Sequence, residues 1–365
     1  MDVFEQVENA RVRIATDVLP GSGALSLSSL EEFLTIVLGE ETKLLETALL
    51  EMLRSLSLPV GMWPLVSSAS HRERVADSVR QSTARALKSE DDVRYLPHWL
   101  KLRAFLDSLA PVRVDVDAWR EISKTTPAIS GARYQTDSSG NFGRSRFTTA
   151  GTSTGRLTVT DGPNFLVTPA EVRRAFVPAR QGATVVHVDF TSMEPRTLLA
   201  TTGQEAPPGD VYADIASVCG IQTRTAAKQA TICALYGSSE RALAETVGGL
   251  RQARSAIEKV AQYFKKEEVV SQLSAAALPR NYFGRPLYGA VNNERLLLNH
   301  YTQSTAAELS ISLFAELCEK FPTVRPTLVI HDALVAEVPD DVRAEFLSAA
   351  RSLTFLGQPF PTSFS

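Results

Sequence analysis

The chain has 365 residues, 44% of them hydrophobic, three cysteines and a formal net charge of −3. That is enough apolar material for one large core or two to three smaller subdomains of a globular protein. No stretch approaches the roughly 20 apolar residues that cross a bilayer, so no membrane association is expected. The opening MDVFEQVENARVR has acids where a secretion signal would be basic and then apolar, and a cytosolic address is expected by default. Cys219, Cys233 and Cys318 lie far apart without a CxxC pair, which argues against a zinc site or a disulfide framework and for buried apolar residues. The near-neutral balance gives no global sign of nucleic-acid binding, so cations that grip phosphates must be concentrated locally.

From Leu25 to Leu109 the apolar residues recur at helical intervals, and Ser28 or Ser29 with Glu31 or Glu32 is a helix-start signal. The part from His71 carries a charged face with Arg72, Arg74, Arg80, Arg85 and Lys88, interrupted by an acidic turn at Glu90 to Asp92. Such a face is ordinarily solvated surface. Between Tyr134 and Leu157 the chain becomes rich in Gly, Ser and Thr and carries Arg144, Arg146 and Arg156, which predicts a loop or hairpin able to contact phosphates. ATVVHVDF (Ala183 to Phe190) is a β-branched run typical of a buried strand. EAPPGD (Glu205 to Asp210) reads as a turn, Val211 to Lys266 as helical, and RNYFGRPLYG (Arg280 to Gly289) as a short hairpin or loop. A long helix follows, and then TLVIHDALVAEV gives two apolar strands meeting at His331-Asp332.

Asp189 closes VVHVD and Asp332 sits in VIHDALV, each where a strand end or tight turn can present a carboxylate. Magnesium takes one or two protein carboxylates and fills its other positions with water and phosphate oxygens, so two aspartates suffice for a nucleotide substrate. The plainer alternative, that each aspartate merely ends a strand, stays open on spacing alone. In TRTAAKQATICALYG, Arg224 and Lys228 share a helix face, with Ile232 and Tyr236 following at the same interval. A triphosphate needs such cations and a base or sugar needs such an apolar and phenolic surface, although exposed Arg-Lys pairs are common without function.

From Leu102 onward these segments resemble the DNA polymerases of the bacterial polymerase I type, family A. HVDFTSMEPR is similar to the family's motif A, DYSQIELR; RTAAKQATICALYG to motif B, R-x3-K-x3-aromatic-x3-YG; and IHDALVAEV to motif C, VHDELVFEV. TSTGRL with TDGPN resembles TATGRLSSTDPN, ERLLLNHYTQSTAAEL resembles the helix ERxxxNxxxQGTAAD, and YFGRPLY resembles LFGRRRYLP. Six matches in the family's order carry far more weight than any one. The resemblance implies an α+β right-hand polymerase fold: an antiparallel palm sheet, helical fingers and a reduced helical thumb. The corresponding spans are 1–111 for the thumb-like region, 112–203 for the first part of the palm with motif A, 204–280 for the fingers with motif B, and 281–365 for the second part of the palm with motif C.

The resemblance further implies template-directed addition of dNMP to a primer 3′-hydroxyl by a two-metal mechanism. Asp189 and Asp332 would hold two Mg²⁺ ions, with the Phe190 carbonyl as a further ligand and Mn²⁺ as a substitute. Arg224 and Lys228 would hold the triphosphate, Glu194 would sit under the sugar and exclude a 2′-hydroxyl, and Tyr236 would fix Glu194 and lie near the template base. Arg156, Arg295, Asn299, Gln303 and His331 would line the primer-template through minor-groove acceptors shared by all base pairs. The expected partners are primer-template DNA, dNTPs and replication accessory proteins, acting on a monomer in a bacterial, plasmid or viral replication context.

Departures from the family pattern qualify these expectations. Ile232 replaces the aromatic residue of motif B, so discrimination at the 3′-hydroxyl does not carry over, and Ala333 replaces the acid after the motif C aspartate. Met193 and Pro195 flank Glu194, and a proline there suits the first turn of a helix. Only about a hundred residues precede the LKLRAFLDSLAP segment, which leads to the expectation of a shortened thumb and no 3′→5′ exonuclease. Two other readings stay open: a catalytically weak accessory protein that binds primer-template, and a polymerase with relaxed sugar selectivity.

Overall fold

The computed structural model describes residues 26–56, 62–129, 131–291 and 293–365, apart from the side chains of Leu65 and Arg295. The chain divides into two units, Met1–Arg103 with Phe283–Pro286, and Ala104–Tyr282 with Leu287–Ser365. The first unit is helical: α1 (Leu27–Leu38), α2 (Thr47–Ser55), α3 (Trp63–Val66), α4 (Ala69–Ala86) and α5 (Glu90–Ser108) as far as Arg103. Its core forms because Leu30, Phe33, Leu34 and Val37 recur on one face of α1. There the Phe33 ring packs on Trp99 at 5.2 Å and on Tyr95 at 6.1 Å between centroids.

Two local expectations are corrected in this unit. The N-cap of α1 is Ser26, whose hydroxyl accepts the Ser29 N–H, so the helix starts before the Ser28 and Ser29 signal and Ser29 is buried. Glu90 to Asp92 is not an interrupting turn but the first turn of α5. Ser89 accepts the Asp92 N–H while Asp92 accepts the N–H groups of Lys88 and Ser89, a reciprocal cap with acids at the positive helix end. On the basic face, Arg74, Arg80 and Arg85 pair with Glu46, Asp77 and Glu40, and Arg72 donates to the carbonyls of Pro64 and Ser67. These four cations are engaged by their own unit, which favours the solvated-surface reading.

The second unit centres on an antiparallel four-stranded sheet in the order β4-β5-β3-β8, formed by β3 (Ala183–Phe190), β4 (Arg325–Ile330), β5 (Ala333–Pro339) and β8 (Thr362–Phe364). Chain order before it gives α6 (Val116–Thr125) and the pair β1 (Arg146–Thr148) with β2 (Thr158–Asp161); between β5 and β8 come α14 (Arg343–Arg351), β6 (Thr354–Phe355) and β7 (Gln358–Pro359). The two-residue period of β3 sends Val186, Val188 and Phe190 into the core, where the Phe190 ring stacks on Phe314 at 4.9 Å, and turns Asp189 to the opposite, open face. Phe314 belongs to α13 (Glu294–Lys320), which also packs on α7 (Met193–Thr201). β5 is buried along Ala333 to Val338, and its one charge, Glu337, is met by Arg325 at 2.5 Å.

A helical group follows α7: α8 (Val211–Cys219), α9 (Arg224–Tyr236), α10 (Glu240–Val247), α11 (Leu250–Tyr263) and α12 (Lys266–Ser274). Ala226, Ala227, Ala230 and Ala234 make the buried side of α9, and their small side chains let α8 and α11 pack closely on it. Gly237 ends α9 in the left-handed region at φ +71°, the Tyr-Gly step expected from the motif. Arg280 to Gly289 contains no named strand and ends in a 3₁₀ turn, Tyr288–Ala290.

The β6–β7 hairpin turns through Leu356 and Gly357, both at positive φ (+51° and +74°). That is a turn suited to Asn-Gly, and a leucine there is strained and half exposed. Leu356→Asn is expected to stabilise the chain by about 1 kcal/mol, read as a higher urea midpoint at unchanged m-value; a lower midpoint would show that the leucine side chain contributes more than its backbone costs.

Candidate active site

Asp189 and Asp332 meet because β3 and β5 are antiparallel neighbours with Asp189 opposite Ala333. The β4–β5 connection is the two-residue turn His331-Asp332, with His331 in the left-handed region at φ +56°. A non-glycine residue at that φ is a strained position of the kind that gathers at functional sites. The Phe190 N–H donates to the Asp332 carbonyl at 3.2 Å, locking the turn against the strand end. Both aspartates line a cleft of about 510 Å³ together with Arg156, Phe190, Glu194, Tyr212, Arg224, Lys228, Gln303 and His331.

Partial burial, then the charge of Asp332, pushes the Asp189 carboxyl up to about 6. Burial also raises the Asp332 carboxyl, with Glu194 as the leading like charge. Two carboxylates whose ionisation is made costly by burial and by a neighbouring like charge are a donor set that a divalent cation stabilises, and they fit the magnesium expected from the sequence. Among the described residues no group of three or more His, Cys, Asp or Glu side chains forms a ligand set. The cleft's third acid, Glu194, is already engaged: it accepts from Arg156 on one oxygen and from the Tyr236 hydroxyl on the other. Burial and the Glu194 charge hold the Tyr236 phenol well above its ordinary pKa, so it stays a donor.

Glu194 lies in the first turn of α7, whose N-cap Ser192 is left-handed at φ +58°. The first helical N–H to pair is that of Arg196, donated to Ser192, so Pro195 removes no bond from the helix. Arg196 is fully buried and donates to the carbonyls of Pro207, Gly209 and Pro359. It thereby ties the segment before α8 to the motif A helix. Asp210 then caps α8 by accepting the N–H groups of Tyr212 and Ala213, and its other oxygen accepts Arg224 Nε at 2.5 Å. Lys228, one turn along α9, is exposed on the same face.

Gln303 on α13 reaches the cleft, and Ala306, Ala307 and Ser310 continue that face with small side chains. Asn299 lies one turn earlier, outside the cleft lining, with its amide oxygen buried and lacking a hydrogen-bond partner among the described residues. Ile232 is half-buried on α9 and Tyr236 touches the cleft only through Glu194; neither lines it. Arg295 is in the first turn of α13, and its side chain lies outside the described residues. Sequence reasoning missed Tyr212 and Asp210. The available signal was an aspartate directly before the apolar-periodic VYADIASV, a helix N-cap pattern.

The model of the family described as DNA polymerase family A matches residues 100–354. The chain belongs to DNA polymerase family A. This family A chain is 30% identical over 241 residues to the thermostable DNA polymerase I of Thermus filiformis, a match that covers 55% of the chain and 28% of that protein. It is 29% identical over 289 residues to DNA polymerase I of Chloroflexus aurantiacus, covering 68% and 30%, and 28% identical over 203 residues to the DNA polymerase of Mycobacterium phage L5, covering 51% and 33%. It therefore spans about a third of the length of these curated relatives. Among solved structures, the polymerase domain of Pol1 from M. smegmatis in complex with DNA primer-template and dNTP matches with a TM-score of 0.50 at 17% identity, covering the whole chain and 66% of that chain. At that identity the likeness shows the fold: the family's right-hand polymerase fold, with an antiparallel sheet and helical fingers and thumb. Among the described residues no helix is long and apolar enough to cross a membrane.

Proposed function

We propose that the chain is a template-directed DNA polymerase that adds dNMP to a primer 3′-hydroxyl. The observation that carries this reading is the delivery of Asp189 and Asp332 from neighbouring strands into the cleft that also receives Arg224 and Lys228. Two Mg²⁺ ions, or Mn²⁺ in their place, would be held by Asp189, Asp332 and the Phe190 carbonyl. When bound, such ions activate the primer hydroxyl and neutralise charge on the reacting phosphates.

The chain's own residues bind and orient. Arg224 and Lys228 hold the triphosphate, supplying most of what phosphoryl transfer asks of a protein, position and positive charge. Glu194, fixed from two sides, is the floor beneath the deoxyribose. Arg156, Gln303 and His331, which line the cleft, would contact the primer-template, with Asn299 and Arg295 given the same role only by the motif they share with the family; contacts to shared minor-groove acceptors suit an enzyme that copies any sequence. In this reading residues 204–280 are the fingers, 112–203 and 281–365 the palm, and 1–111 the thumb.

Primer extension on a primed template with Mg²⁺ tests the reading, and primer-template binding without extension would instead support the accessory-protein alternative. The sugar gate has its own test. The parent is expected to prefer dNTP over NTP, and Glu194→Ala to reduce that preference by roughly 10- to 100-fold in kcat/KM. Equal use of both sugars by the parent refutes the gate.

A further inference from the structure

We infer that Tyr212 is a positioning residue whose ring face holds the Arg224 guanidinium and the Lys228 ammonium side by side for the incoming triphosphate. This rests on the polymerase reading above. Arg224 and Lys228 are like charges one helical turn apart, an arrangement that repels itself and leaves two long side chains free to turn into solvent. The structure supplies a counterweight. The Arg224 guanidinium carbon lies 5.4 Å from the Tyr212 ring centroid and Lys228 Nζ lies 5.8 Å from it, so one aromatic ring has both cations within cation–π range. The ring also lines the cleft with Asp189 and Asp332.

The platform is itself held in place. Tyr212 packs against the buried cluster of the helical group and lies in the first turn of α8, its N–H bound by Asp210 at 2.8 Å. That same carboxylate grips Arg224 from its other oxygen. The preceding Pro207 and Gly209 carbonyls are anchored by the buried Arg196. Platform, clamp and motif A helix thus form one continuous set of contacts. Burial, with the Glu194 charge next, pushes the Tyr212 phenol up to about 12, so the ring stays neutral at working pH and acts through its face.

Pre-aligned cations lower the cost of binding a phosphate chain and leave the chemical step largely as it is. The experiment compares the full chain with Tyr212→Phe, which keeps the ring face, and with Tyr212→Leu and Tyr212→Met, which remove it. Two quantities are read: affinity for inorganic tripolyphosphate by calorimetry, and KM against kcat for single-nucleotide extension. Tyr212→Phe is expected to stay within about two-fold of the parent, and Leu or Met to weaken tripolyphosphate binding and raise the dNTP KM by about ten-fold with little change in kcat. If Tyr212→Leu does not fold, Tyr212→Met carries the comparison. Tripolyphosphate affinity unchanged in Leu and Met, equal loss in Phe, or no binding by the parent overturns the platform. A parent that shows the Phe-against-Leu difference without extending primers would retain the platform and refute the polymerase reading.

Discussion

Asp189→Ala and Asp332→Ala are each expected to reduce templated extension by at least about a thousand-fold, the scale at which groups that act as one unit fail when either is removed. The structure explains why neither substitution should damage the fold. Asp189 stands on the open face of β3, and Asp332 occupies a turn whose lock to the strand is made by its backbone carbonyl. Both carboxyls are raised by burial and by like charge, so the ionised pair is held at a cost to the chain. The variants are expected to melt no earlier than the parent while losing activity. A variant that keeps full extension would remove that aspartate from the metal assignment. Ala333 sharpens this expectation, because the turn brings no second acid that could stand in for Asp332.

The second large effect falls on Lys228. Among the described residues Arg224 is shared with Asp210 at 2.5 Å, whereas no carboxylate is paired with Lys228. A phosphate meets Lys228 without displacing a carboxylate, but must compete with Asp210 for Arg224. Lys228→Ala is therefore expected to lower kcat/KM for dNTP by about a hundred-fold, the scale for a cation aimed at transferring phosphate, and to exceed the effect of Arg224→Ala. Steady-state kinetics on one primed template decide this, and the reverse order would show that the Asp210 contact prepares Arg224 rather than competing for it.

What the sequence made legible was whatever depends on local pattern. The β-branched run ending in Asp189, the paired strands around His331-Asp332 and the helix from Arg224 to Tyr236 all follow from periodicity and their bounding residues. The ordered motifs pointed to their common cleft, which periodicity alone could not. The register that sets Asp189 opposite Ala333 is a property of strand pairing between segments far apart in the chain.

The same distance hid the partners of the basic face: Glu40 and Glu46 neutralise Arg85 and Arg74 from the connection between α1 and α2. Tyr212 and Asp210 were missed for a different reason. EAPPGD was read as a turn and no further, whereas its final aspartate caps the next helix and reaches Arg224. Ser26 and the Glu90 to Asp92 turn show the usual uncertainty of helix starts, where several Ser or acidic residues compete and only the packed face selects one.

The most direct measurement is single-turnover extension of a primed template by the intact chain in Mg²⁺, offering one dNTP at a time while the templating base is varied. The expected result is addition of the complementary dNMP opposite each of the four bases, and its loss in Asp332→Ala. Extension indifferent to the templating base, or primer-template binding with no extension in either Mg²⁺ or Mn²⁺, would contradict the assignment of Asp189, Asp332, Arg224 and Lys228 to a copying active site.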